Sequence, residues 1–372
     1  MVDINGYEIK SAFSGGEPLK AIYSLGEKVW PVAGPEPITW GGLKFTALEA
    51  GTIGMTHNGT NATTTKPRFD YSKDGVNWTR WDYSTISVNK GDVICFKGNN
   101  GSISKSLADY SEFNFRFPYK ISASGNIMSL LYGDDYEGKI SLSGKNYCFY
   151  KLFYGCKYLT NAPELPATTL ATRCYDSMFY DCTSLIKAPE LPATKLATYC
   201  YSDMFNGCSS LTTAPKILPA TTLTNSCYEH MFWDCTSLTT APELPSTTLA
   251  SSCYSMMFTN CYSLTTAPKL PATSLYDMCY YHMFEGCTSL TTAPELPATR
   301  LTTYCYSNMF YGCTNLNYVK ANFKTEPSTD YTEYWLAGVS KTGTFVANPS
   351  ATWPDTVERN WHTVPSGWSI VK

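Results

Sequence analysis

Paired cysteines eight residues apart recur along the second half of this chain, and they are its most reactive residues. Seven pairs occur, most of them in the phrase Cys-Tyr-x-x-Met-Phe-x-x-Cys. Thiols placed close together can bind zinc, attack a substrate or form disulfides, so their spacing decides which chemistry is open. The pairs are Cys148/Cys156, Cys174/Cys182, Cys200/Cys208, Cys227/Cys235, Cys253/Cys261, Cys279/Cys287 and Cys305/Cys313.

The spacing argues against a disulfide within one pair. The pattern Tyr-x-x-Met-Phe predicts a helix, on which two cysteines eight residues apart lie about 12 Å apart along the axis. The Cα atoms of a disulfide must lie within about 7 Å of each other. We therefore predict a ladder of buried thiols that pack as small hydrophobic side chains. Disulfides between equivalent cysteines of adjacent repeats stay open.

Other catalytic and metal-binding patterns are weak. No Cys-x-x-Cys motif occurs, and the four histidines, which are His57, His230, His282 and His362, form no zinc ligand set. The acidic segment 133–138 is predicted to be a solvated turn, with a calcium or catalytic carboxylate site as the alternative. We expect no catalytic residue, metal or cofactor. A glycan-active enzyme in the first half of the chain is a remote alternative.

The cysteine pairs belong to a longer repeat, which predicts the architecture around them. The step between copies is 26 residues, except for one step of 27 near Ile217. A fixed period of this size indicates a solenoid, in which each copy buries its apolar face against its neighbours. Each copy is predicted to hold a helix followed by a strand in Ser-Leu-Thr-Thr-Ala-Pro, which proline ends. The Met-Phe pairs are predicted to fill the core, with a methionine-rich binding groove as the alternative.

The rest of the chain predicts four segments and a mixed α/β fold. Asn5-Gly6 is a hairpin signal, and residues 31–37 have the composition of a stiff linker. Short alternating strands and the turn Lys73-Asp74-Gly75 favour a β-sandwich-like domain. The predicted segments are an N-terminal docking segment at 1–33, the sandwich-like domain at 38–145, a solenoid of about seven coils at 146–316 and a C-terminal cap at 317–372.

Charge and hydropathy exclude two classes of partner. The net charge is −3 without a lysine or arginine cluster, which argues against nucleic-acid binding. No apolar run approaches the roughly 18 residues of a spanning helix, so we expect no membrane insertion. The N-terminus lacks the pattern of a secretory signal. We therefore expect export by another route, or release as part of a particle on lysis.

The repeat resembles a known family. The phrase Met-Phe-x-x-Cys-Thr-Ser-Leu-Thr-Thr-Ala-Pro-Glu-Leu-Pro-Ala-Thr-Thr-Leu, seen with small changes at 231–258 and 283–310, is similar to BspA-type leucine-rich repeats. Residues 124–134 and 364–368 resemble the same group. The leader, from Ile4-Asn5-Gly6 to Val29-Trp30-Pro31, resembles N-terminal segments of phage structural proteins.

This resemblance implies a right-handed solenoid with an adhesive or receptor-binding role and no catalytic residues. It favours a virion protein of phages that infect gut bacteria, of the tail-fibre or head-fibre type. Other virion proteins would bind residues 1–33, and a host cell-surface glycan or protein would bind the repeats. A bacterial cell-surface adhesin is the alternative, and both a monomer and a homo-oligomer stay open.

Differences between the copies indicate where a ligand could bind. Variation concentrates just before the first cysteine, after Cys-Tyr and after Met-Phe. Aromatic side chains at these places would give flat contact area and hydrogen bonds, which suit a protein or a sugar. A solvated, unconstrained face is the alternative interpretation. The candidate ligand-binding residues are Tyr180, Tyr199, Trp233, Tyr281, Tyr304 and Tyr311.

Overall fold

The chain divides into two compact units, Met1–Thr39 and Trp40–Lys372. The computed structural model describes six short strands between residues 2 and 30, and residues 38–59, 66–116, 119–324, 328–351 and 364–372. The predicted linker at 31–37 lies outside the described residues. The predicted boundaries at 145/146 and 316/317 both fall inside the second unit.

The N-terminal unit contains three antiparallel hairpins. In the first hairpin Ile4 pairs with Tyr7, and the predicted hairpin signal Asn5-Gly6 between them lies outside the described residues. Each hairpin is a separate two-stranded sheet among the described strands, and an isolated hairpin is only marginally stable in water. The pairs are β1 (Val2–Ile4) with β2 (Tyr7–Ile9), β3 (Phe13–Ser14) with β4 (Glu17–Pro18), and β5 (Ile22–Ser24) with β6 (Glu27–Trp30).

The first part of the second unit contains two sheets that share a core. Phe45 and Phe96 of one sheet meet Phe113 of the other, with ring centroids 4.9 and 5.5 Å from it. The larger sheet runs β10 (Thr79–Arg80), β9 (Phe69–Ser72), β12 (Val93–Gly98), β7 (Lys44–Ala47), β14 (Ile121–Ser124) and β15 (Leu159–Asn161). The smaller runs β11 (Ile86–Val88), β8 (Gly51–Asn58) and β13 (Tyr110–Arg116). The predicted hairpin around Asp74 is confirmed by the antiparallel pairing of β9 and β10.

The larger sheet continues into the repeats. Strand β15 belongs to the first repeat and pairs in parallel with β14, whereas the other pairs of that sheet are antiparallel. The aromatic core is continuous as well, because Phe113 stacks on Phe153 at 5.6 Å and Phe153 stacks on Phe179 at 5.3 Å. The two-sheet region therefore covers the open apolar end of the first repeat.

The helix predicted in each repeat is wrong, and the fold is mostly β rather than mixed α/β. The described helices are α1 (Ser129–Tyr132), α2 (Thr329–Thr332) and a 3₁₀ turn at Gly133–Tyr136. Residues 146–316 are all described and contain no helix. The segment between the paired cysteines is instead a run of tight turns.

Backbone conformation explains why no helix forms. In the second repeat φ is positive at Arg173, Ser177 and Asp181, four residues apart. Other repeats place positive φ at the equivalent positions, as at Ser226, His230 and Asp234. An α-helix needs an unbroken run of negative φ, so a left-handed residue at every fourth position ends each turn before a helix can propagate.

Backbone hydrogen bonds in this segment alternate between neighbouring and local partners. The N–H groups of Tyr175, Ser177 and Phe179 donate to the carbonyls of Cys200, Ser202 and Met204 in the next repeat, at 2.9–3.0 Å. Between them, the Met178 N–H donates to the carbonyl of Tyr175, three residues back. Successive repeats are therefore joined along the turns as strands are joined in a sheet.

The predicted strand of each repeat is reduced to short parallel pairings. Single bridges join Asn161 to Lys187, Lys187 to Thr213, and Thr240 to Thr266. Further bridges join Thr169 to Lys195 and Ile217 to Glu243 at two other corners. In each repeat a proline follows closely after the bridge that includes Asn161, Lys187, Thr240 or their equivalents. Because proline has no N–H group to donate, pairing there is limited to one or two residues.

Stacked buried side chains fill the interior of the repeats. Tyr175, Tyr201 and Tyr228 stack at 5.7 Å, and Phe179, Phe205 and Phe232 stack at 5.5 Å. The Met-Phe pairs from Met178-Phe179 to Met309-Phe310 are fully buried, which confirms their predicted role in the core. Burial of such a side chain contributes roughly 1.5–3 kcal/mol, and each repeat supplies the same set.

The repeat pattern continues past Leu316, although the predicted solenoid ends at that residue. Phe310 N–H donates to the carbonyl of Trp335, and Tyr334 and Gly338 keep positive φ, 26 residues after Asn308 and Gly312. Trp335 is fully buried in the Met position. Strands β16 (Tyr318–Lys320), β17 (Gly343–Val346) and β18 (Trp368–Val371) extend the parallel ladder. Residues 352–363 lie outside the description.

Candidate ligand-binding surface

The variable positions of the repeats form one continuous surface, here called the turn face. It consists of the side chains one residue before and two, three, six and seven residues after the first cysteine of each repeat. The positive-φ residues occupy three of these five positions. Tyr, Met and Phe at the intervening positions point inward and are buried, whereas most residues of the turn face are half-buried and several, such as Asp176, Ser202 and Ser307, are buried.

The structure places all six predicted binding residues on the turn face but does not bring them together. Tyr180, Trp233 and Tyr311 share one column along the stack, six residues after the first cysteine. Tyr199 and Tyr304 share the column just before that cysteine, and Tyr281 lies in a third column. Tyr180, Tyr199 and Trp233 occupy the second to fourth repeats, whereas the other three occupy the last two.

Most of these aromatic rings are less exposed than the sequence suggested. Only Tyr304 and Tyr311 are clearly exposed, at 39% and 44%. The others are half-buried because each packs on a neighbour. Tyr180 stacks on Tyr154 at 4.9 Å, the Arg173 guanidinium lies 3.9 Å from the Tyr199 ring, and His282 lies 4.0 Å from Tyr281.

A hydrogen-bonded network joins the third and fourth repeats on the turn face. One Asp203 carboxylate oxygen accepts from the Asn206 amide at 2.9 Å and lies 3.3 Å from His230 Nδ1. Burial is the largest single effect on Asp203 and opposes its ionisation, but the hydrogen bond and charge of His230, together with hydrogen bonds from Asn206 and Ser202, outweigh it and lower the pKa of the carboxyl. Burial also opposes protonation of His230, while the bond to Asp203 raises the pKa of the imidazole. Both shifts favour the charged form of the pair.

Asp176 is the most buried carboxyl of the turn face, at 2% exposure. Burial raises its pKa to about 6, against the opposing effect of its hydrogen bonds to Ser177 and Arg173. The Arg173 guanidinium thus contacts both the Asp176 carboxylate and the Tyr199 ring. These contacts hold the side chains of Arg173 and Asp176 in place without a ligand.

Comparison with protein families gives the repeats an identity. A family model described as "BspA type Leucine rich repeat region" matches six copies at residues 145–265 and 217–332, together half of the chain. The chain belongs to the BspA-type leucine-rich repeat family. This confirms the resemblance of the repeats, whereas the phage resemblance of the leader stays a prediction.

Other comparisons add little about the BspA-type chain. No curated protein matches it. A solved structure titled "Crystal structure of T. pallidum Leucine Rich Repeat protein (TpLRR)" is 14% identical, covering 61% of this chain and 78% of that one, with a TM-score of 0.23. Two backbones with that score do not superpose well, and the likeness carries no weight for function.

The BspA-type array also has a second surface that the sequence reasoning missed. Three cavities of about 590, 590 and 490 Å³ lie at the corner formed by Ala-Pro-Glu-Leu-Pro and its variants in adjacent repeats. Two prolines three residues apart line each wall, as Pro163 and Pro166 do in the first cavity. The repeated proline pair is visible in the sequence, where proline is predicted only to end the strand of each repeat.

The acidic segment near residue 134 behaves as the predicted solvated turn. Asp134 and Asp135 are exposed, and Asp134 pairs with the Lys97 ammonium at 2.8 Å. Within the described part of the chain, no group of three His, Cys, Asp or Glu residues is placed to hold a metal ion. The described helices are all too short to cross a bilayer.

The cysteines of the BspA-type array are structural. All fourteen cysteines of the seven pairs, and Cys95 in strand β12, lie among the described residues as free, buried thiols, which confirms the predicted thiol ladder. Burial raises the pKa of Cys253 to about 12 and that of Cys305 to about 11. The second cysteine of a pair donates to a phenylalanine carbonyl of the preceding repeat, as Cys182 Sγ does to Phe153 at 3.1 Å. Such thiols are poor nucleophiles.

Proposed function

We propose that this protein is a non-enzymatic adhesin or receptor-binding protein whose turn face contacts a glycan or protein on a host cell. One observation carries the proposal. Six of the seven repeats keep the same buried Tyr, Met, Phe and Cys residues, while aromatic and polar variation collects at the positions of the turn face. A repeated scaffold with one varied face suits recognition, and many weak contacts along it add by avidity. The usual role of BspA-type proteins at cell surfaces supports this proposal.

The finer form of the proposal places the protein on a phage particle. Residues 1–33 dock to other virion proteins, and residues 38–145 form a sandwich-like spacer. Residues 146–316 form a right-handed solenoid of about seven coils, closed by a cap at 317–372. The separate N-terminal unit supports the docking role, since three small hairpins gain stability by packing against a partner.

A bacterial cell-surface adhesin is the second candidate. Membership of the BspA-type family supports it, because proteins of this family are usually surface adhesins. The repeats themselves fit either location. An antibody against residues 146–316 distinguishes the two. It labels purified phage particles if the protein is a virion component, and it labels intact bacteria free of phage if the protein is a cellular adhesin.

The turn-face proposal is tested by attachment to host cells. We expect the triple variant Tyr180→Ala, Trp233→Ala and Tyr311→Ala of the full chain to attach at least about tenfold more weakly. The matched control carries Thr213→Ala, Thr240→Ala and Thr266→Ala on another face, where all three threonines are exposed. Equal attachment by the two triple variants contradicts a role of the turn face.

The docking proposal is tested by deleting residues 1–33. Because the second unit begins only at Trp40, the deletion leaves its core intact. We expect the shortened chain to be absent from purified particles while attachment of the soluble protein to cells is unchanged. Normal incorporation into particles removes the docking role and leaves the turn-face proposal standing.

A further inference from the structure

The corner of the repeats that holds the three cavities is apolar inside and charged at its edge. Two prolines from each repeat line the cavity between the fourth and fifth repeats, and the charged residues at its rim are Glu243 and Lys269. Both charged side chains are exposed, and among the described residues neither has an ion-pair partner. An apolar groove with charges at its rim has the composition of a protein–protein interface. We call this surface the proline strip; it consists of Ala-Pro-Glu-Leu-Pro or its variant and the two residues before it in each repeat.

One exposed, charged residue in each repeat forms a column along the proline strip. Lys216 belongs to this column because its carbonyl accepts from the Glu243 N–H at 3.0 Å. Lys320 extends the column, since its ammonium lies 2.8 Å from the Glu295 carboxylate. At about 4.8 Å between paired strands, the six steps of the column span roughly 29 Å. From the first repeat to the seventh, the residues are Glu164, Glu190, Lys216, Glu243, Lys269, Glu295 and Lys320.

The charge column is complementary to itself when a second copy of the chain lies antiparallel to the first. A two-fold axis between the fourth and fifth repeats places Glu243 of each copy opposite Lys269 of the other. The other opposed pairs also join opposite charges. They are Lys216 with Glu295 and Glu190 with Lys320.

The registers on either side of this one oppose like charges. If the axis passes through the fourth repeat, Glu243 faces Glu243 and Lys216 faces Lys269. If it passes through the fifth repeat, Lys269 faces Lys269 and Glu243 faces Glu295. Like charges placed opposite each other across an interface are unfavourable. The charge pattern therefore favours one register over its immediate neighbours.

Two exposed apolar residues support the same axis. The positions just before Ala-Pro are mostly threonine, but Ile186 lies in the second repeat and Tyr318 in the seventh. Ile186 is 53% exposed and lines the first cavity, and Tyr318 is 36% exposed. The second and seventh repeats lie equally far from the axis, on opposite sides of it. The axis therefore brings Ile186 of each copy close to Tyr318 of the other, where both bury apolar surface.

We propose that the proline strip is the interface of an antiparallel homodimer whose two-fold axis lies between the fourth and fifth repeats. A second copy has the same step between repeats, so its charges stay in register with those of the first along the whole strip. At about 4.8 Å per repeat and 3.3 Å per residue, six repeats of seven residues give each copy a strip of roughly 600 Å². Two such strips reach the area of a small specific interface.

This inference goes beyond the proposed function, because no residue of the turn face belongs to the proline strip. A dimer carries two turn faces, and weak contacts through both of them add by avidity.

The test is the sedimentation of the full chain at micromolar concentrations, where a dimer has twice the chain mass of 41.3 kDa. We expect Glu243→Lys or Lys269→Glu to raise the dissociation constant of the dimer at least about tenfold, because each change opposes like charges at two symmetric places. The chain with both substitutions opposes unlike charges again and should dimerise within about threefold of the natural chain.

Glu164→Lys is the matched control in the same column. It faces residues 346–348 of the second copy, which are uncharged, so the dissociation constant should stay within about twofold of the natural value. Circular dichroism verifies that each variant folds.

Three results overturn the inference. They are a natural chain that sediments as a monomer or as an assembly other than a dimer, single reversals that dimerise as tightly as the natural chain, and a doubly substituted chain that is as weak as the single variants. A monomer would leave the proline strip to a different partner. Attachment to host cells is measured separately, so the proposed function can survive each of these results.

Discussion

The second cysteine of each pair is best understood as a hydrogen-bond donor in the core. Cys208 Sγ donates to the Phe179 carbonyl at 3.1 Å, and Cys235 Sγ donates to the Phe205 carbonyl at 3.2 Å. Each bond links one repeat to the one before it. A thiol is small and apolar enough to pack in the core while still supplying a weak donor. This explains why cysteine recurs without a disulfide or a metal.

Replacing Cys208 with alanine should lower the free energy of unfolding by about 1–2 kcal/mol, because it removes a buried donor and leaves a small cavity. Cys208→Ser keeps a donor and should cost less. Urea unfolding followed by circular dichroism measures both changes. An alanine variant as stable as the natural chain would show that the thiol bond contributes nothing.

The ion pair of His230 and Asp203 should make stability depend on pH. The folded-state pKa of His230 lies above its ordinary value. Its contribution is therefore complete below the unfolded pKa and is lost as pH rises through the folded pKa. NMR titration of the imidazole should give a lower pKa in Asp203→Asn. An unchanged pKa in that variant would exclude the pair as the cause of the shift.

At the scale of the repeat element, the sequence predicts which side chains are buried better than it predicts the backbone conformation between them. Buried residues at Tyr175, Met178, Phe179 and Cys182 fit a helical period and a four-residue turn equally well over so short a segment. The informative signal was at the position seven residues after the first cysteine. It is always Gly, Asp or Asn, the residue types that best tolerate positive φ. As part of the variable positions, these residues indicate only surface variation until the backbone conformation is known.

Alanine substitutions at two glycines of that position should distinguish the cost of backbone strain from the cost of side-chain crowding. Gly155 and Gly207 both have positive φ, but an added Cβ meets open space at Gly155 and the Asp181 carboxylate at Gly207. Gly155→Ala should destabilise the chain by about 1–2 kcal/mol through the left-handed conformation alone. Gly207→Ala should cost more, as measured by urea unfolding. Equal losses would mean that Asp181 moves aside freely.

At the scale of the whole molecule, the repeat period predicted the order of segments but not their continuity. The core extends from Leu43 through the repeats to Trp368 as one cluster. Pairing of β14 with β15 could not be read from the sequence, because it joins strands from regions with different patterns. The continuation at Trp335 was missed because the cysteines and Met-Phe are replaced there. Only the 26-residue step from Gly312 to Gly338 indicated it.

The division into two units predicts that the second folds alone. A chain of residues 40–372 should unfold at the same urea concentration as the full chain, within about 0.5 kcal/mol in free energy, since a compact unit with its own core can fold alone. Circular dichroism at increasing urea measures this. A clear loss of stability on removing residues 1–39 would show that the second unit needs the first to fold.

The pairing of each repeat with the next has an evolutionary consequence. Along the turns, the N–H groups of each copy donate to the carbonyls of its successor, and the same row of bonds recurs from copy to copy. A duplication or loss of 26 codons within the gene would therefore keep these hydrogen bonds between neighbouring repeats complete. Recombination between copies can change the number of repeats and exchange their turn-face residues. The buried residues and the hydrogen bonds that stabilise each repeat stay the same.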